Sequence, residues 1–160
     1  MNKLAFFLAA ITAMVVLSGC PYKFNVALPK NEHISRKLIG KWETVDKTYH
    51  YTIEKIDGKL YRIYAEKLSN HEIDKYEAHL TQIDKDYFIN LYDPKTNQYL
   101  IAKLTREKDV LTLFYVNDDF IRNKKGGNNF SREDELLGFI KAHKENQALY
   151  EKAIVLNRIK

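Results

Sequence analysis

The sequence predicts a mainly β domain with a C-terminal helix. Seven or eight strands form an antiparallel meander that closes into a small barrel or curls strongly, with the helix packed outside. Three observations predict this. Between residues 41 and 116 apolar side chains recur with period two, the spacing of half-buried strands. Clusters such as Asp57-Gly58, Asp84-Lys85-Asp86 and Glu107-Lys108-Asp109 punctuate the pattern with turns. After residue 130 the period becomes that of a helix. Connections this short pair neighbours antiparallel, and a meander of so many strands must curl.

The elements follow in order. Residues 34–39 suit a short helical turn, and residues 41–45 a first strand. In 49–56, Tyr49, Tyr51 and Ile53 share one face. Asp57-Gly58 is a hairpin signal, because glycine tolerates the positive φ of a tight turn. Residues 60–67 return with Tyr61, Ile63 and Ala65 on one face. Residues 73–83 set Tyr76, Ala78 and Leu80 against Lys75, Glu77 and His79. Residues 87–92 are apolar on both faces apart from Asn90, which predicts a covered strand. After Asp93-Pro94-Lys95-Thr96-Asn97, residues 98–106 alternate Leu100, Ala102 and Leu104 against Lys103 and Thr105. Residues 110–116 form another two-faced apolar strand, and Phe120-Ile121 a short final one. A polar loop over 122–129 follows. Ser131 with Asp134 has the form of a capping box. Leu136, Leu137, Ile140 and His143, then Tyr150, Ala153, Ile154 and Asn157, fall on one helical stripe, in one long helix or two.

The amino terminus has a different character. Met1-Asn2-Lys3 is positive, Leu4 to Leu17 is apolar apart from Thr12, and the first nineteen residues contain no acid. This is the anatomy of a secretory signal. This stretch of fourteen residues falls short of the roughly 20 that span a bilayer, so a cleaved segment is expected. The closing Leu17-Ser18-Gly19-Cys20 resembles the bacterial lipobox. That resemblance implies diacylglyceryl addition to the Cys20 sulfur, cleavage before Cys20 and acylation of the new amine. Cys20 is the only cysteine in the chain, so it has no disulfide partner, and lipidation accounts for it. Two or more acyl chains give stable membrane attachment. Pro21 follows Cys20, where Asp would resemble an inner-membrane retention signal; the resemblance therefore favours the periplasmic face of the outer membrane in a Gram-negative host.

The expected organisation is a signal peptide over 1–19, a tether over 20–34 and one domain over 35–160. Cleavage removes Lys3 and no acid, leaving 25 basic against 21 acidic residues over 141 positions, enough for a single core. The charges are interleaved, as on a solvated surface with weak attraction to anionic lipid headgroups. Nucleic acid is not an expected partner outside the cytoplasm. The eleven tyrosines, against serines only at 18, 35, 69 and 131, suit strands with half-buried faces.

Chemistry-bearing patterns are sparse. His33, His50, His71, His79 and His143 form no His-Glu-x-x-His pattern, and no cysteine is free to join them, so no metal is expected. The serines lack a Gly-x-Ser-x-Gly context. Gly126-Gly127 lacks the strand–loop–helix setting of a phosphate cradle and reads as a loop. Asp118-Asp119 and Glu133-Asp134-Glu135 read as turn and helix-start residues. The expectation is a non-enzymatic protein without catalytic residues or cofactor.

Gly40-Lys41-Trp42 resembles the Gly-x-Trp motif that opens the first strand of lipocalins and related small barrels. The resemblance implies a tryptophan packed across one barrel end, a preceding helical turn, and a helix after the last strand. The Thr-Asp-Tyr of the second lipocalin motif has no counterpart here. Two roles remain open. One is an envelope lipoprotein that binds another envelope protein in an accessory, inhibitor or immunity-type role. The other is a carrier of a small apolar ligand, bound by Trp42, Tyr51, Tyr61 and Tyr76.

Overall fold

The computed structural model describes residues 23–127 and 129–159; the lipobox-like segment and Cys20 lie outside the described residues. Eight strands close into an antiparallel barrel in sequence order: β1 (Gly40–Thr44), β2 (Tyr49–Lys55), β3 (Tyr61–Lys67), β4 (Glu72–Ile83), β5 (Asp86–Asp93), β6 (Gln98–Glu107), β7 (Val110–Val116) and β8 (Tyr150–Arg158). The mainly β class, the meander and the barrel follow the sequence pattern, and the first seven strands lie within a residue or two of their expected bounds.

Period-two alternation decides which face turns inward. Trp42, Ile53, Tyr61, Ile63, Ala78, Leu80, Ile89, Leu91, Ala102, Leu111, Leu113 and Leu156 form the barrel core. An eight-stranded barrel has an interior just wide enough for side chains to fill. Here Ile53, Ile63 and Ile89 are at most 6% exposed, so side chains fill the midsection.

The hairpins β1–β2, β3–β4 and β5–β6 turn at one end of the barrel, and β2–β3, β4–β5 and β6–β7 at the other. Helix α1 (Asp118–Lys125) and helix α2 (Glu133–His143) lie between β7 and β8. Leu136 and Ile140 of α2 are fully buried with Phe88 of β5, Ile101 of β6, Val116 of β7 and Phe120 and Ile121 of α1. The helix thus covers the outer face of the strands that are apolar on both sides, which would otherwise be wet.

Several local expectations are corrected. Tyr150, Ala153, Ile154 and Asn157 do not continue a helical stripe: they lie in β8, which pairs with both β7 and β1 and closes the barrel. A strand there satisfies two open edges; a helix would leave both exposed. Phe120 and Ile121 are helical, because the Asn117 side chain accepts a hydrogen bond from the Phe120 N–H at 3.2 Å and caps α1. Gly126 ends that helix at φ 76°. Ser131 does not cap α2: Arg132 takes that position, and the Ser131 N–H instead donates to the Glu135 carboxylate at 3.0 Å.

Residues 23–34, expected as part of a tether, lie against the barrel as a strap. Phe24 pairs with Tyr99 on the free side of β6 beyond the end of β7. Leu28 is fully buried, and its N–H donates to the Asn90 side chain at 2.9 Å. His79 Nε2 donates to the Leu28 carbonyl at 2.8 Å, and Thr81 Oγ1 to the Pro29 carbonyl at 2.7 Å. Asn90, the polar residue in the apolar middle of β5, serves the strap, and it also donates to Thr81 Oγ1 at 3.0 Å. Asn31 exchanges hydrogen bonds with the Gln82 backbone at 2.9 and 3.0 Å. The strap therefore runs down the outside of β6, β5 and β4, and residues 35–39 then turn across the far end.

Candidate functional site at the two ends of the barrel

The far end is a sealed cap. Trp42 is 0% exposed, and its Nε1–H donates to the Leu38 carbonyl at 2.9 Å. Tyr61 is equally buried, and its hydroxyl accepts from the Ser35 N–H at 2.5 Å. The Arg158 guanidinium stacks 4.3 Å from the Trp42 ring and donates to the carbonyls of Lys37 and Ile39. Gly40 has φ 132°, and a Cβ there would meet Arg158 Nη1 at 2.6 Å. The Gly-Lys-Trp tripeptide is thus accounted for locally: glycine makes room for the cation that lies on the tryptophan. Trp42 and Tyr61 hold backbone carbonyl or amide groups of the cap, so neither is placed to meet a ligand.

Beside the cap a hollow of about 490 Å³ opens between the strap and the barrel rim, lined by Ile34, Leu38, Leu80, Tyr87 and Leu104 with Lys37 and Arg106. It belongs to the joint between strap and barrel.

The opposite end is open. Thr44, Tyr49, Tyr51 and Ile154 line a cleft of about 430 Å³ with the β1–β2 turn and β8. Inward-facing Tyr76 of β4 and Tyr115 of β7 stand behind it, and the rings of Tyr49 and Tyr51 lie 6.1 Å apart. Burial raises the Tyr51 hydroxyl well above the ordinary tyrosine range, reinforced by Tyr115, Tyr49 and Tyr76. Burial likewise pushes Tyr76 and Tyr115 up to about 12. All three stay protonated at neutral pH and offer neutral hydroxyls in an apolar wall. Of the four residues expected to hold a ligand, Tyr51 and Tyr76 come together here and Trp42 and Tyr61 do not. Tyr49 shares the face of Tyr51 that the alternation pattern marked, whereas Tyr115 lies on a strand apolar on both faces, where alternation does not tell inside from outside.

The histidines are dispersed. His50 meets Glu43 at 2.8 Å and His71 meets Glu66 at 2.7 Å, both on the outer surface. His79 is bound to the strap, and burial lowers its pKa, so it is neutral. His143 packs against Phe139 and Phe120. Among the described residues no group of three or more His, Cys, Asp or Glu is placed to hold a metal ion. The most enclosed ionic group is structural: Lys144 joins Asp86 at 2.8 Å, and Lys103 reaches the same carboxylate at 2.9 Å. Burial raises the Asp86 carboxyl, but the two ammonium groups outweigh it and hold it below the usual carboxylate range. Asp118-Asp119 and Glu133-Asp134-Glu135 occupy the first turns of α1 and α2. Comparison with protein families, with curated proteins and with solved structures finds no match.

Proposed function

We propose that this chain is a non-enzymatic lipoprotein of the bacterial envelope, acylated on Cys20, that binds another envelope protein in an accessory, inhibitor or immunity-type role. The observation that carries the anchoring is Leu17-Ser18-Gly19-Cys20 at the close of an acid-free apolar stretch, with Cys20 the only cysteine in the chain. Recognition through the surface is supported by the filled barrel midsection and by the exposed turns of the open end, where Val45 is 63% exposed.

A second reading, carriage of a small apolar ligand, is supported by the cleft of about 430 Å³ at Tyr49, Tyr51 and Ile154, within the few-hundred-Å³ range of small-molecule sites. Crosslinking of the anchored protein in membranes, followed by its isolation, separates the two. A protein partner lost on Val45→Glu supports the first reading. A co-purifying small molecule lost on Tyr51→Ala supports the second. Mass spectrometry of the amino-terminal peptide tests the anchor itself: unmodified Cys20, or cleavage elsewhere, overturns it, and Cys20→Ser is expected to abolish acylation.

A further inference from the structure

We propose that the open end of the barrel faces the bilayer and lies against it, so that the Tyr51 cleft opens at the lipid surface and the Trp42 cap points away. The inference rests on acylation of Cys20 and adds an orientation that the acylation alone does not give.

The strap fixes where the anchor leaves the domain. Lys23 Nζ meets Asp93 at 2.7 Å and Thr96 Oγ1 at 3.2 Å, both at the β5–β6 turn of the open end. Phe24, next in the chain, is buried and doubly hydrogen-bonded to Tyr99. Cys20 stands three residues before Lys23, and three residues span at most about 11 Å even when fully extended. A lipid on Cys20 therefore holds the β5–β6 turn within about that distance of the bilayer surface. The strap is clamped to the barrel wall at Asn90, His79, Thr81 and Gln82, so it cannot peel away to lengthen the leash without breaking those bonds. The twelve residues of β4 run about 40 Å along the strand, or about 30 Å along the axis after barrel tilt. That length separates the far end from the membrane.

The surface at the exit point suits this placement. Lys95 of the same turn pairs with Asp74 at 2.5 Å, and in the last turn of α1, beside Lys124, Arg122 pairs with Asp118 and Asp119 and Lys125 with Glu135. Phe130, beneath Lys125, packs on Phe24 at 6.2 Å. The pairs leave a polar rim at the exit point that is compatible with a headgroup layer and adds little net attraction of its own. A partner or ligand reaching the cleft would then have to approach along the membrane surface.

The test places tryptophan reporters at the open end (Val45→Trp, Ser69→Trp) and the far end (Lys85→Trp, Glu107→Trp). Fluorescence quenching is read on vesicles of phosphatidylcholine and phosphatidylglycerol bearing a nitroxide on the headgroup. Native Trp42 is buried at the far end and gives a constant background. One arm uses the natively acylated chain, checked by mass. The other couples residues 20–160 through the Cys20 sulfur to a maleimide lipid, so that an anchor exists whether or not cells attach one. The expected result in both arms is several-fold stronger quenching of both open-end reporters. Equal quenching at the two ends, or stronger quenching at the far end, in the coupled arm overturns the orientation. Absence of native acylation with asymmetric quenching in the coupled arm overturns only the acylation on which the proposal rests in cells, and leaves the geometry upheld.

Discussion

The cap offers a test of whether Gly40 is there for its conformation, for the space it leaves, or for both. Gly40→Ala places a Cβ 2.6 Å from Arg158 Nη1 on a backbone at φ 132°. The backbone strain costs about 1–3 kcal/mol. Displacing the guanidinium weakens its stacking on Trp42 and its hydrogen bonds to Lys37 and Ile39, roughly a further 1–2 kcal/mol for a partly exposed cation. Gly40→Ala should therefore destabilise by about 2–5 kcal/mol, and Arg158→Ala by about 1–2 kcal/mol. In the double variant nothing remains to clash, so only the strain and a single loss of the Arg158 contacts count. The double variant should fall short of the sum of the singles by about 1–2 kcal/mol. Urea unfolding of residues 20–160 carrying Cys20→Ser measures all three, with Trp42, the only tryptophan, as the probe. Additivity within about 0.5 kcal/mol refutes the close contact between residues 40 and 158.

Three further outcomes follow from the same packing. Truncation after Leu149 keeps both helices but removes β8, opening the edges of β1 and β7; no cooperative thermal transition by circular dichroism is expected, and a sharp one would show that β8 does not close the barrel. Asn90→Leu leaves the buried Leu28 N–H without its acceptor and should cost about 1–3 kcal/mol, with faster hydrogen exchange at Leu28; an unchanged midpoint and unchanged exchange would contradict the clamp. The third concerns pH. His79 is held below its ordinary value of about 6.5, so its contribution is present above that pH and is lost as pH falls through the lower folded value. Stability measured from pH 7.5 to 5 should decline in the wild type, and His79→Gln should flatten the slope in that window; identical slopes would remove His79 as the cause.

Much of the barrel could be read directly from the chain. Alternation at Tyr51-Ile53, Tyr61-Ile63, Ala78-Leu80 and Leu100-Ala102 is a local consequence of the two-residue repeat of a strand, and turn residues such as Asp57-Gly58 mark its breaks without reference to anything distant. The two-faced strands β5 and β7 likewise announced an outer cover, and Leu136 and Ile140 provide it. Within the candidate cleft, Tyr51, Tyr76 and Tyr49 were visible as residues on one strand face, while Tyr115 sits on a strand apolar on both sides and was not. The lipobox-like Leu17-Ser18-Gly19-Cys20, on which the proposed anchor rests, is likewise read from the sequence alone.

Tertiary structure decided the rest. Residues 150–158 carry apolar spacing that fits a helix as well as a strand; the open edges of β1 and β7, more than a hundred and about forty residues away, select the strand because their backbone groups need partners. The strap has no period, since each of its contacts is with a different strand, so Phe24 and Leu28 looked like tether until Tyr99 and Asn90 came beside them. Arg158 carries no local signal for the same reason. Its place over Trp42 depends on closing a barrel whose first and last strands are joined only in space. Periodicity reports a residue's relation to its immediate neighbours, while closure, capping and the path of the strap are satisfied between groups far apart in the chain.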